Sequence, residues 1–240
     1  DIEFIEPGES TECYSMYRIG WFYAADTGLE IDGTKNPEDF KQIPLQKTAT
    51  NILGLEYKEI IPRMNLKEGI KREKQVCIAI HGTAQSKYWN NEEGWQKVVD
   101  WLNMEGYRVV LLSRENDGYM GNKHPQGIYK LPEGPIQNVI EELQKSEAFI
   151  GIGSGLSWVS WATHTPTVLI SGFSNSISET QTNTYRITAP EGKCSGCFNR
   201  YRLDAGDWNW CPIHKETERQ FECSKEITSG DVISILEKMN

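Results

Sequence analysis

Long apolar runs are missing from this 240-residue sequence, and none approaches the roughly 20 residues that a membrane-spanning helix requires. The sequence starts Asp-Ile-Glu-Phe, without the basic and then apolar segments of a signal peptide. Basic residues are few relative to acidic ones: 25 lysines and arginines against 34 aspartates and glutamates give a net charge of -9. This balance disfavours non-specific attraction to nucleic acid or anionic lipid. We therefore expect a cytoplasmic protein with no membrane span and no nucleic-acid partner.

Two common enzyme signatures are also absent from the sequence. There is no G-x-G-x-x-G motif, and no acidic residue lies at the distance expected for a nicotinamide-cofactor ribose, which disfavours a dinucleotide oxidoreductase. No Ser-His-Asp or Cys-His arrangement is recognisable, so hydrolase chemistry has no support. His124 and His164 stand alone in the sequence, and we expect both to be structural residues.

From residue 75 onward, strand-like apolar runs alternate with segments of helical spacing. This alternation predicts an α/β fold with a Rossmann-like, doubly wound parallel sheet in residues 71–240. Residues 1–70 are less regular, and we interpret them as the remnant of an N-terminal or interdomain region. Strands are predicted at 76–80, 107–112, 148–152, 167–170 and 185–188, and helices at 44–53, 95–102, 139–143, 156–163 and 231–239.

Ligands of open parallel sheets bind beyond the carboxyl ends of the strands, so the loops that follow the strands are candidate sites. The segment His81–Lys87 has a glycine, two hydroxyls and a lysine, and is either a phosphate cradle or a solvated turn. The segment Gly151–Ser157 has three glycines before a predicted helix start, where free N–H groups favour an anion; the alternative is a tightly packed turn. Glu115 follows the second strand and is either a ribose ligand or a surface carboxylate.

Four cysteines crowd into 30 residues as C-x2-C-x13-C-x11-C, and comprise Cys194, Cys197, Cys211 and Cys223. Without a secretion signal, this spacing predicts a small metal-binding finger at about 190–225 before it predicts disulfides. Thiolates select zinc or iron, and the composition does not choose between them. His214 is a possible substitute ligand. Cys77 lies in an apolar run and is expected to be a buried core residue.

The segments 42–50, 81–89, 151–161 and 170–173 together closely resemble the bacterial autotransporter heptosyltransferases. That family is a branch of the lipopolysaccharide heptosyltransferases, which have a GT-B fold. The resemblance covers most of the chain and includes the cysteine cluster, which is similar to that family's iron-binding finger. The general heptosyltransferase pattern D-T-G-L-S-H falls on Gly153–Trp158, where its glycine, leucine and serine match and its first Asp and last His do not.

The resemblance implies the C-terminal half of a GT-B enzyme that transfers heptose from ADP-heptose to serine hydroxyls of an autotransporter adhesin. It implies one iron ion on the four thiolates, with zinc as the alternative, and a homo-oligomer. Lys87 matches the lysine that meets the donor phosphates, and it is the predicted catalytic residue. The predicted donor-binding residues are Thr83, Ala84, Gln85, Lys87, Glu115, Ser154, Gly155, Leu156 and Ser157.

A GT-B enzyme has two Rossmann-like domains, and only one is recognisable in this sequence. The family's catalytic aspartate belongs to the N-terminal half and cannot be placed, so the chain is interpreted as the donor-binding half of a larger or split enzyme. Two other functions stay open at this point. One is a lipopolysaccharide-type heptosyltransferase, and the other is a non-catalytic nucleotide-sugar-binding or assembly module.

Overall fold

The computed structural model describes residues 5–26, 28, 30–179 and 181–239. The chain divides into two compact units, Asp1–Lys58 and Glu59–Asn240. None of the helices in the described part of the chain combines the length and the apolar character needed to cross a membrane.

The first unit has a small aromatic core around Phe40, which is completely buried. The ring of Trp21 stacks on Phe40 with 4.6 Å between centroids, and Tyr23 meets it edge-on at 5.4 Å. Asn36 is buried beside them and accepts the N–H of Phe22 at 2.8 Å. The predicted helix at 44–53 is confirmed as helix α1, Leu45–Ile52.

The second unit alternates strands and helices, as the sequence predicts. Its strands are β1 (Glu73–Ala79), β2 (Arg108–Leu111), β3 (Tyr129–Lys130), β4 (Ser146–Ile152), β5 (Thr167–Ile170) and β6 (Thr184–Ile187), and its helices are α2 (Gly94–Met104), α3 (Ile136–Lys145), α4 (Gly155–Ala162), α5 (Glu222–Lys225) and α6 (Ser229–Met239). Strand β3 was not predicted because two residues carry no period-2 pattern.

The six strands form one parallel sheet in the order β3-β2-β1-β4-β5-β6. The chain winds outward from β1 to β3 and then returns to the other side of β1 to begin β4. A crevice therefore opens between the carboxyl ends of β1 and β4, which is the place where such sheets bind ligands. The predicted Rossmann-like, doubly wound α/β fold is confirmed.

Strand β1 shows why the sheet is covered on both faces. Val76 and Ile78 join a core cluster with residues of α2 and α6, whereas Cys77 and Ala79 join a second cluster with residues of α3 and α4. Successive side chains of a strand point to opposite faces, so a fully apolar run needs a helix layer on each side. Burial raises the pKa of the Cys77 thiol to about 12, as expected for an inert core cysteine.

Candidate functional site

A cavity of about 580 Å³ lies at the crevice between β1 and β4, within the size range of small-molecule sites. Four segments that follow strands line it: the turn after β1, the loop after β2, the segment 131–139 after β3 and the turn after β4. Six of the predicted donor-binding residues line this cavity, and they are Thr83, Lys87, Glu115, Ser154, Gly155 and Leu156.

The turn after β4 leads directly into helix α4. Ser154 is extended, with φ -151° and ψ 171°, and α4 begins at Gly155. Among the described residues, no backbone carbonyl accepts the N–H groups of Gly155 or Leu156, as expected for the first turn of a helix. Because both residues line the cavity, these N–H groups and the helix dipole form a site for an anion.

Ser157 has a different role from its predicted one. Its N–H and its hydroxyl both donate to the carbonyl of Ser154, at 3.1 and 2.6 Å. The Ser157 side chain is buried and does not line the cavity. Ser157 therefore closes the turn that presents its neighbours.

The turn after β1 brings an ammonium group to the same cavity. Lys87 Nζ donates to Thr83 Oγ1 at 3.2 Å and lies 5.7 Å from the centre of the Phe173 ring. Within the described part of the chain, Lys87 takes part in no ion pair with a carboxylate, so its charge is available to an anionic ligand. A Cβ on Gly82 would lie 3.1 Å from Ile152 Cδ1, so glycine allows this turn to approach β4 closely.

The structure does not place Ala84 and Gln85 in the cavity lining. The Gln85 N–H, expected to face a phosphate, donates instead to the carbonyl of Trp208 at 2.9 Å. The Gln85 side chain donates to Asn90 Oδ1 at 2.7 Å, and Ala84 is buried. Sequence reasoning missed this because the acceptor lies more than 120 residues away along the chain.

Trp208 belongs to the cysteine segment and packs on the turn after β1. Its ring meets Tyr88 of this turn at 5.8 Å and Tyr119 of the loop after β2 at 6.2 Å between centroids, both in edge-on geometry. The bond from Gln85 and the contact with Tyr88 make the shape of the lysine-bearing turn dependent on the cysteine segment.

The loop after β2 is fixed by His81 and Ser113, which the sequence did not single out. His81 Nδ1 and Ser113 Oγ lie 2.8 Å apart, and Ser113 Oγ accepts the N–H of Glu115 at 3.0 Å. Lys130 Nζ donates to the carbonyl of Glu115 at 2.7 Å, so the Glu115 backbone is held on both sides while its side chain lines the cavity. Burial lowers the pKa of His81 to about 4, aided by His124 and Lys130. His81 is therefore neutral at pH 7.

The four clustered cysteines are free thiols, of which Cys197, Cys211 and Cys223 are buried and Cys194 is half-buried. Burial, with a smaller contribution from the other three thiols, raises the pKa of Cys223 to about 12, so all four lie close enough to interact. Among the described residues, no group of three or more His, Cys, Asp or Glu side chains is arranged as a metal site. The predicted finger, including the His214 alternative, stays a prediction, although four thiols are a donor set that suits iron or zinc.

The cysteine segment is docked on the end of β5. A Cβ on Gly172 would lie 2.0 Å from the carbonyl oxygen of Cys223, so only glycine permits this approach. The carbonyl of Gly172 also accepts the N–H of Gly196 at 2.9 Å. The Glu222 carboxylate accepts the N–H of Cys194 at 3.2 Å and thus joins the two ends of the segment.

A parallel sheet with a glycine turn, a helix N-terminus and an unpaired lysine around its crevice defines a Rossmann-like domain with a candidate site for an anionic ligand. The model of glycosyltransferase family 9 (heptosyltransferase) matches residues 33–198, and the chain belongs to this family.

The autotransporter branch of heptosyltransferases contains three relatives of particular interest. Autotransporter heptosyltransferase Aah of Escherichia coli is 39% identical over 249 residues, which cover 100% of this chain and 62% of Aah. The iron-containing dodecameric glycosyltransferase TibC from enterotoxigenic E. coli H10407 has a crystal structure that superimposes on this chain with a TM-score of 0.84. The two sequences are 36% identical, and the match covers 96% of this chain and 60% of TibC. TibC has also been solved in complex with ADP-D-β-D-heptose, at 37% identity and a TM-score of 0.83 over 94% of this chain and 59% of TibC.

A third relative differs from these two because it is named as inactive. The inactive autotransporter heptosyltransferase BimC of Burkholderia thailandensis is 30% identical over 237 residues, which cover 95% of this chain and 54% of BimC. The chain spans between 54% and 62% of the length of these curated relatives. The resemblance to the autotransporter heptosyltransferases predicted from the sequence is confirmed.

Proposed function

We propose that this chain is the donor-binding half of a protein O-heptosyltransferase, which transfers heptose from ADP-heptose to serine hydroxyls of an autotransporter adhesin. The observation that supports this most strongly is the cavity in which Lys87 and the N-terminus of α4 line one space. The TibC complex with ADP-D-β-D-heptose supports the choice of donor.

In this reaction, the bond between the anomeric carbon of heptose and the distal phosphate breaks, and the serine oxygen forms the new bond to that carbon. Negative charge develops on the departing diphosphate. Lys87 and the N–H groups of Gly155 and Leu156 stabilise it, and a preorganised donor of this kind contributes about 3 to 4 kcal/mol to lowering a barrier. Thr83 and Ser154 add hydroxyl donors, and the carboxylate of Glu115 accepts a ribose hydroxyl.

The serine proton passes to a general base that we place in the part of the relatives that this chain does not span. Residues 71–240 then form the donor-binding domain, with the finger at about 190–225, and residues 1–70 are the remnant of the N-terminal or interdomain region. The enzyme works in the bacterial cytoplasm as a homo-oligomer, in keeping with the dodecameric TibC.

The finger holds one iron ion on Cys194, Cys197, Cys211 and Cys223, with zinc as the alternative. TibC is described as iron-containing, and the four interacting thiols of this chain suit such a metal. Purified protein should be red-brown, with one iron per chain by elemental analysis, and Cys197→Ser should lose both the colour and the iron. A colourless protein with stoichiometric zinc would show that the finger binds zinc in place of iron. A metal-free, folded protein would contradict a metal-binding finger.

The reaction is tested by transfer of radiolabelled heptose from ADP-heptose to an adhesin fragment, measured with this chain alone and with the relatives' N-terminal half added. Transfer that needs the added half supports the proposal, because the base then comes from that half. A second candidate, a non-catalytic binding or assembly module, is favoured by the similarity to BimC, an inactive autotransporter heptosyltransferase. It requires tight ADP-heptose binding without transfer in either mixture.

A further inference from the structure

The carboxylate of Glu179 lies against the turn after β4, at a residue that has no side chain of its own. A Cβ on Gly153 would lie 2.6 Å from Glu179 Oε2 and 3.2 Å from Oε1. Gly153 lines the cavity that holds Lys87 and the N-terminus of α4. An acidic group therefore reaches the edge of the candidate site from the segment between β5 and β6.

A small hollow of about 30 Å³ adjoins the cavity at this point. Lys87 and Gly153 line both the hollow and the main cavity, so the two share a wall beside the proposed diphosphate position. The other side chains around the hollow are those of Ser171, Phe173, Ser174, Glu179 and Phe198.

The position of Glu179 is held by buried polar contacts. Ser174 Oγ donates to Glu179 Oε2 at 3.2 Å, and Arg186 Nη1 lies 4.0 Å from the same oxygen. The Arg186 side chain is only 5% exposed and donates through Nη2 to Ser171 Oγ at 2.8 Å and to Ser174 Oγ at 2.9 Å. The carboxylate is thus held next to the cavity by the hydrogen bond from Ser174, and the guanidinium that binds Ser174 adds a favourable charge nearby.

A carboxylate at this place repels a diphosphate, so within a bound sugar nucleotide its favourable partner is the uncharged, hydroxyl-bearing part. An ionised carboxylate only accepts hydrogen bonds, and sugar hydroxyls donate them. In the proposed donor, the sugar is joined to the distal phosphate, and Lys87 is the proposed cation for that diphosphate. We propose that Glu179 is a sugar-recognition residue that accepts hydrogen bonds from hydroxyls of the bound sugar nucleotide. This role rests on the proposed function. It places the positive charge of Lys87 at the diphosphate and the negative charge of Glu179 at the sugar.

A purely structural role for Glu179, as the counter-ion of Arg186, makes a different prediction. Loss of a structural counter-ion disturbs the whole turn and weakens ADP and ADP-heptose together. Loss of a sugar ligand weakens ADP-heptose and leaves ADP unchanged. The ratio of the two affinities therefore distinguishes the roles.

The test is titration calorimetry of ADP and ADP-heptose with the wild-type chain, Glu179→Gln and Glu105→Gln. Glu105 is an exposed residue after α2, and its substitution makes the same change of charge. We expect Glu179→Gln to lower the affinity for ADP-heptose about tenfold and to leave that for ADP within about twofold, since hydrogen bonds to charged groups are of this strength. Glu105→Gln should leave both affinities unchanged.

Equal changes for both ligands, or no change for either, would overturn the role of Glu179. Wild-type chain that binds neither ligand would overturn the proposed function itself, which is a separate outcome. If Glu179→Gln does not fold, Glu179→Asp carries the same test, because it keeps the charge and withdraws the carboxylate by one methylene. It should reduce the affinity for ADP-heptose alone.

Discussion

The two turns that line the cavity are built in different ways. The turn after β4 is local: an extended Ser154, a helix that begins at the next residue and a closing bond from Ser157 define it. The turn after β1 depends on distant residues, because Gln85 is bonded to Trp208 and Asn90 Nδ2 donates to Ser224 Oγ at 2.9 Å. The first turn supplies N–H groups and the second supplies the ammonium of Lys87. Variants of each turn, with matched controls, separate these contributions.

The largest effect is expected for Lys87→Ala. Removal of the ammonium should weaken ADP binding about tenfold to a hundredfold, since hydrogen bonds between charged groups are of this strength. Titration calorimetry measures it, with Lys97→Ala, an exposed lysine of α2, as the control. An unchanged affinity of Lys87→Ala for ADP would show that the ammonium group does not contact the bound nucleotide.

Gly155→Pro tests the N–H donors of the turn after β4. Proline is accepted at the first position of a helix and after an extended residue, so the fold should persist while one N–H is lost. We expect about a tenfold loss of ADP affinity. Gly155→Ala keeps the N–H, and a Cβ there meets no atom within 4 Å, so it should bind like the wild type. Equal affinities of the two variants would show that this N–H contacts no phosphate.

Trp208→Ala tests the dependence of the other turn on the cysteine segment. Loss of the ring contact to Tyr88 should loosen the lysine-bearing turn and weaken ADP binding about fivefold, in line with the energy of an aromatic pair. Tyr201→Ala, which removes an exposed ring of the same segment, is the control. A Trp208→Ala variant that binds ADP as tightly as the control would contradict the coupling.

The last prediction concerns a separate property, stability as a function of pH. The pKa of His81 is about 4 in the folded protein against an ordinary value of 6.5, so the unfolded chain binds more protons between these values. The free energy of unfolding should fall as the pH drops from 6.5 towards 4. His81→Gln should make this fall shallower in urea titrations at several pH values, and an unchanged slope would refute the assignment.

Five of the six strands that the structure describes, all but β3, and most helices could be predicted from strand-like apolar runs or a helical spacing. Thr83, Lys87, Glu115, Ser154, Gly155 and Leu156 could be placed at the cavity since each lies within eight residues after the carboxyl end of a strand. Contacts between distant segments could not be predicted. The pairing of His81 with Ser113, the bond from Gln85 to Trp208 and the approach of Glu179 to Gly153 all join residues more than 20 positions apart.

The central claim is that the two turns together bind the diphosphate of a sugar nucleotide. A crystal structure of the chain with ADP tests it most directly. The phosphates should lie between Lys87 Nζ and the N–H groups of Gly155 and Leu156. Well-ordered ADP bound elsewhere, with both turns empty, would contradict the account.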